Sequence, residues 1–408
     1  MLSQDDVEQR TPSGYTPSPA KGGQALPSRP SGNSGSRFAR RGGETEAEIV
    51  GCIGLSALLD DVGHRNIQQL VRVAGGADAA WRADHRMLVA AGFTPAAVER
   101  FLTQRNALDP KAIFATIERE HITVITRDDE RYPPLLRPIA DPPIALFVRG
   151  DVSLLSTRSL AVVGTRKCTA YGRAATRELV GPLSRAGLTI VSGLAYGIDA
   201  EAHRACLDAD GRTVAVLGTG IDAASVYPPG NRALSEEIIA RGGCLVSEYA
   251  PGTAGIPMHF PARNRIVAAV TIGVIAVEAP EDSGALITTR FALDFGREVF
   301  VVPGPITSTM SAGTNALLKV GATPVTSAAD IIDALHLEEL LPPIPKRTTP
   351  AGALAARVYG VLNATPTHID DLRNQLNVPT PELAHTLTSL ELDGAVRDIG
   401  GGRYVRVH

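Results

Sequence analysis

Between residues 158 and about 335, short apolar runs recur, each followed by a glycine-marked polar loop and then a helix-like stretch. The runs fall at 160–163, 189–192, 213–217, 244–247, 273–277 and 298–302. They are continuously apolar rather than alternating, as strands buried on both faces are. Strands of that kind, separated by helices, assemble as a parallel sheet covered on each side. The pattern predicts a doubly wound, mostly parallel α/β sheet, with any ligand at the carboxyl ends of the strands.

The flanks are different. Residues 1–44 are rich in Pro, Gly, Ser and Arg without apolar periodicity, and are expected to be a disordered tail. Residues 45–120 are Ala- and Leu-rich. Leu55, Leu58 and Leu59 mark one helix face, and Gly63, Gly75-Gly76 and Gly92 punctuate short helices. This predicts a small all-helical domain. Its Gly-linked helix pairs could hold a DNA backbone, and packing or protein contact is an equally good reading. Residues 121–337 form the α/β domain, with two further strands in its first thirty residues. A Pro-rich linker is expected at 338–352.

The remaining residues, 353–408, read as helices at 354–362 and 368–376, a third from Thr380 to about residue 392, and a hairpin across Gly400–Gly402. Helix-turn-helix followed by a hairpin is the winged-helix order. The third helix offers Glu382 and Glu391, with Asp393 beyond, and no Lys or Arg. A helix that reads DNA is normally basic, so protein contact or a structural role is the favoured expectation for this part.

The chain carries a formal net charge of −3, so any polyanion site must be a local patch. One stands out. The run at 160–163 leads into Gly164-Thr165-Arg166-Lys167, and a helix-like stretch begins near Tyr171-Gly172. A glycine turn under a helix N-terminus is a nest of N–H groups that attracts phosphate. Arg158, Arg173, Arg177 and Arg185 flank it against a single acid, Glu178. Further along, Phe260-Pro-Ala-Arg263-Asn264-Arg265 combines an aromatic face with two guanidinium forks, the pairing that single-strand sites use. Gly193 permits close backbone approach, and Ser283-Gly284 with Thr288 offers hydroxyl and N–H donors to another phosphate. Asp199 and His203 stand one helical turn apart; an acid–base pair is one reading, and an intrahelical hydrogen bond shaping the loop is the favoured one. Gly218-Thr-Gly-Ile-Asp222-Ala matches a dinucleotide fingerprint in form, but Tyr227-Pro-Pro-Gly follows it instead of a regular helix, so it reads as a turn.

Cys52, Cys168, Cys206 and Cys244 are scattered, which predicts neither disulfides nor a zinc site and fits a reducing, cytoplasmic setting. No apolar run has membrane-helix length, and no signal-peptide core opens the chain. Nucleophile elbow, Walker A, HExxH and kinase motifs are missing, which predicts binding without cofactor, metal or turnover.

Taken in order, Val163-Gly-Thr-Arg166 with Tyr171-Gly172, Ser192-Gly-Leu-Ala-Tyr-Gly-Ile-Asp199, Ser247-Glu248, Phe260-Pro-Ala-Arg-Asn-Arg-Ile266, Ser283-Gly-Ala-Leu-Ile-Thr288 and Gly296-Arg-Glu-Val-Phe-Val-Val-Pro-Gly304 resemble the DprA/Smf family of DNA-processing proteins. The likeness spans about residues 122–325. The helical part resembles that family's SAM-like or helix-hairpin-helix extension, and the last part its winged helix. The resemblance implies a Rossmann-like, doubly wound, mostly parallel domain that holds single-stranded DNA in a basic pocket, a homodimer, and delivery of the strand to the recombinase RecA in natural transformation. Carried over, Gly164, Thr165 and Arg166 would hold phosphate, and Phe260, Arg263 and Arg265 would flank the strand. Thr165 stands where serine is more usual, and the hydroxyl survives. Two other readings stay open: a Rossmann-like hydrolase related to nucleoside-monophosphate phosphoribohydrolases, whose glutamate-bearing loop is not found here, and a protein-interaction scaffold that binds no DNA.

Overall fold

The computed structural model describes residues 45–340, 352–363, 365–392 and 395–406. The tail expected at 1–44 and most of the linker expected at 338–352 lie outside the described residues. The described chain opens with α1 (Glu46–Ala57), α2 (Leu59–Val62), α3 (His64–Ala74), α4 (Ala77–Trp81), α5 (His85–Ala90), α6 (Pro95–Ala107) and α7 (Pro110–Arg119). Local chemistry sets several starts: the side chains of Thr45, Asp84 and Thr94 accept from Glu48, Met87 and Ala97 N–H, and Pro95 sits in the first turn of α6.

One nine-stranded sheet follows, in the order β1-β2-β6-β5-β4-β3-β7-β8-β9. Its strands are β1 (Thr123–Thr126), β2 (Ala145–Gly150), β3 (Ser159–Val163), β4 (Thr189–Ser192), β5 (Thr213–Val216), β6 (Cys244–Ser247), β7 (Gly273–Ala276), β8 (Glu298–Val301) and β9 (Thr323–Pro324). Strands β3 to β9 pair in parallel, while β1 and β2 form an antiparallel pair that extends the sheet past β6. The helices between them are α8 (Ala170–Arg185), α9 (Ile198–Asp208), α10 (Arg232–Ala240), α11 (His259–Ala269), α12 (Ala285–Asp294), α13 (Ala312–Lys319) and α14 (Ala328–Ala334).

Each central strand feeds two cores. On β3, Ala161 and Val163 enter one cluster with Ile266, Val267 and Ala268 of α11, while Leu160 and Val162 enter another with Leu179 and Leu183 of α8. Burial on both faces explains the unbroken apolar runs. The helical segment shares its core with the sheet: Leu55, Leu70 and Phe101 cluster with Ala145 and Tyr249, and Ile53 with Phe147. From β3 the chain winds outward through β4, β5 and β6, then returns to β7 on the other side of β3. That reversal opens a crevice at the carboxyl ends of β3 and β7.

The last part holds α15 (Ala353–Val361), β10 (Thr367–His368), α16 (Ile369–Leu376), α17 (Thr380–Leu392), β11 (Val396–Asp398) and β12 (Arg403–Arg406). Its three strands order as β10-β12-β11 over a core of Val358, Leu372, Leu383 and Leu387. This is a winged helix. Among the described residues no helix is long and apolar enough to cross a membrane, and no cluster of His, Cys, Asp or Glu could hold a metal.

Candidate nucleic-acid interface

A cleft of about 600 Å³ occupies the β3/β7 crevice. It is built first from the loop after β3. Thr165 is pinned on three sides: its N–H donates to Glu278 O at 2.7 Å, its carbonyl accepts from Ile198 N–H at 3.2 Å, and its hydroxyl accepts from Lys167 N–H at 3.2 Å. Thr165 is buried by this, and Arg166 and Lys167 are left exposed beside it. The Arg166 guanidinium lies 5.4 Å from the Phe260 ring centroid, and Phe260 lies 5.5 Å from Tyr227. Cation and two rings make one continuous surface along the cleft.

Phe260 belongs to α11, which continues this lining. Arg263 is buried, with Nη1 donating to the carbonyls of Gly193 (2.7 Å) and Val216, and Nε to Asn264 Oδ1. Burial pushes its pKa down to about 10, with the Asp199 carboxylate opposing the shift. A Cβ at residue 193 would sit 2.5 Å from Arg263 Nη2, so any larger residue there has to displace the guanidinium. Asp199 accepts from Gly193 and Ala195 N–H, and burial raises its pKa despite the nearby Arg263 charge. Asn264 Nδ2 donates to Gly284 O at 3.2 Å, tying α11 to the Ser283-Gly284 turn at the start of α12. Thr288 lines the wall but is almost fully buried.

Gly164, Thr165, Arg166, Lys167, Gly193, Phe260, Arg263, Asn264, Ser283, Gly284 and Thr288 are thus brought to one cleft. Arg265 is not. It forks onto Glu248 at 2.7 and 2.6 Å and donates from Nε to Asp141 O, all within the protein. Two residues along a helix turn the side chain by about 200°, so 263 and 265 cannot share a face. Burial alone would raise the Glu248 carboxyl, but the Arg265 charge, with help from His64, outweighs it and holds it at about 2.

The expected nest under α8 is partly occupied by the protein itself. The Glu278 carboxylate already accepts from Thr169 N–H (2.9 Å) and Thr169 Oγ1 (2.6 Å), and it packs so close to Gly172 that a Cβ there would collide with it. An internal anion thus takes the N-cap N–H of α8, and Thr169 Oγ1 takes that of Gly172, so part of the helix terminus is already met within the protein. Asp199 and His203 do not bond each other either. His203 Nδ1 meets Thr213 Oγ1 at 2.7 Å, and burial drives the imidazole pKa down to about 3. Asp222 takes Gly252 N–H and the Ser225 hydroxyl, and so pins loops.

The helical segment braces α11. His259, its first residue, meets Gly218 O through Nδ1 and Asp60 of α2 through Nε2, and stacks on Tyr249 at 4.1 Å. His64 of α3 stands edge-on to Tyr249 and contacts Glu248 at 3.2 Å. Neither Asp60 nor Tyr227 follows from sequence reasoning as part of the site. Tyr227 carried a signal, an exposed-type aromatic in a Pro-Gly loop at a strand's carboxyl end; Asp60 carried none.

The family model described as DNA recombination-mediator protein A matches residues 123–336, and that of the DprA winged helix domain matches residues 342–402. The chain is 36% identical over 346 residues to the protein Smf of Escherichia coli, covering 83% of this chain and 91% of that one. It is 43% identical over 204 residues to the DNA processing protein DprA of Streptococcus pneumoniae, covering 50% of this chain and 71% of that one. The X-ray structure of that pneumococcal protein superposes with a TM-score of 0.60 at 33% identity, covering 71% of this chain and 98% of that chain. The chain belongs to the DNA recombination-mediator protein A family, the DprA/Smf proteins.

Proposed function

We propose that the cleft binds single-stranded DNA without sequence preference and that the protein delivers the strand to RecA in transformation or recombination. The observation that carries this reading is the Arg166–Phe260–Tyr227 surface with Lys167 beside it. Every base has a π-face, so an aromatic platform flanked by cations holds a strand whatever its sequence. The nearest acid and imidazole support binding over turnover: Asp199 is committed to backbone N–H groups, and His203 bonds away from it. In this reading residues 121–337 carry the strand, residues 45–120 brace the cleft, and the winged helix within 353–408 contacts protein. A cytoplasmic homodimer completes the proposal.

Fluorescence anisotropy of labelled oligo-dT and mixed-sequence oligonucleotides, titrated over a salt series, tests it. Affinity should be equal across sequences and fall steeply with salt. Strong sequence preference, or binding indifferent to Arg166→Ala, would overturn it.

A further inference from the structure

A second cleft, of about 850 Å³, lies far from β3 in sequence, between the helical segment and the 126–144 connection. Its apolar lining is aliphatic: Val71 from α3, and Ile139, Pro142 and Ile144 from the connection. Three arginines line it too, Arg72, Arg127 and Arg137, all exposed. Arg72 contacts only the neutral Gln69 side chain. The Arg137 guanidinium is held by backbone carbonyls, Arg127 O at 2.7 Å and Asp129 O at 3.1 Å, and packs 5.5 Å from the Tyr132 ring centroid. Among the described residues none of the three forms an ion pair with a carboxylate. The cleft's two acids do not neutralise them. Glu48 spends its carboxylate on the N–H groups of Ala77 (2.7 Å) and Asp78 (3.1 Å), and Asp128 is exposed to water.

We propose that this cleft docks an acidic peptide segment of a partner protein whose carboxylates alternate with aliphatic side chains. Guanidinium forks that hold no carboxylate of their own take one bidentately, and Arg72 and Arg127 are two such exposed forks here. The aliphatic patch supplies what a purely ionic site lacks, burial of apolar side chains. The same composition separates this cleft from the first. No Phe, Tyr or Trp lines it, so it offers no surface on which a base can stack. The carboxylate that closes the α4 terminus also removes the backbone N–H groups a helix-hairpin-helix phosphate contact would need.

The test uses the full chain and a fluorescein-labelled peptide of alternating Asp and Leu, about ten residues long, the segment length that β- and helix-type docking sites commonly read. Anisotropy should show saturable binding that weakens with salt. The double variant Arg72→Glu/Arg127→Glu reverses two exposed charges whose side chains hold no backbone group in place. It should weaken the peptide by roughly a hundredfold, about tenfold per charge-assisted contact. Its oligo-dT affinity should equal that of the parent protein. Asp128→Asn should tighten the peptide severalfold. Unchanged peptide binding in the double variant would overturn the proposal, and so would a parallel fall in oligo-dT affinity, which would make the cleft a second nucleic-acid site. Failure of oligo-dT to bind the parent protein would instead count against the first cleft alone.

Discussion

Two sets of α11 residues carry similar chemistry and do opposite things. Phe260, Arg263 and Asn264 line the cleft, whereas His259 and Arg265 are consumed by Gly218, Asp60, Glu248 and Asp141. A guanidinium is a ligand site only where the protein has not already supplied its anion. The largest expected contrast follows. Arg265→Ala strands the buried Glu248 carboxylate and should cost about 3–5 kcal/mol of stability. Thermal melting should show it, while the remaining folded protein binds oligo-dT as before. Arg166→Ala should do the reverse, leaving the melt within about 0.5 kcal/mol because the side chain is exposed.

The Glu248 pair also sets an acid limit. The folded carboxyl titrates at about 2 against 4.5 in the free side chain. Its stabilisation, on the order of 3 kcal/mol, is complete above the ordinary glutamate range and disappears as pH falls toward 2. Melting temperature followed from pH 6 downward should therefore fall less steeply in Glu248→Gln/Arg265→Met than in the parent chain. Equal slopes would remove the Glu248–Arg265 pair as the source of acid sensitivity. On the cleft side, Phe260→Ala should weaken oligo-dT by about 1–3 kcal/mol, the worth of one stacked base. The Arg166→Ala/Lys167→Ala pair should also flatten the salt dependence, by about one unit of slope for each phosphate no longer neutralised.

Much of this is legible in the sequence, and the parts that are not share a cause. Continuous apolar runs announce the parallel strands, because burial on two faces leaves a local mark. The pairing of β2 with β6 leaves none, and neither does β9, a two-residue edge strand ending in Pro324. The cleft residues can be gathered from loops at strand ends, since a parallel sheet delivers those loops to one edge. What stays hidden is neutralisation. Thr169 and Glu278 are 109 residues apart, and nothing local marks that carboxylate as the plug of the α8 terminus. Arg265 is in principle separable from Arg263 by helical phase alone, and counting both as one cationic cluster discards that phase.

The smallest expected effect is the most discriminating about how the two sets communicate. Asp60 of α2 reaches His259, one residue before Phe260, so the helical segment holds the end of α11 that presents the aromatic ring. Asp60 is partly exposed, and removing one such bond should cost the fold only about 1 kcal/mol. If α11 is braced from behind, Asp60→Ala should still weaken oligo-dT severalfold, because Phe260 and its partner Arg166 lose a fixed platform. His259→Gln, which can still bond Gly218, should show the same weakening, and adding Asp60→Ala to it should change nothing further, since both remove the same bond. Additive effects would mean that the two residues act separately, and an unchanged affinity in both would confine the helical segment to stability.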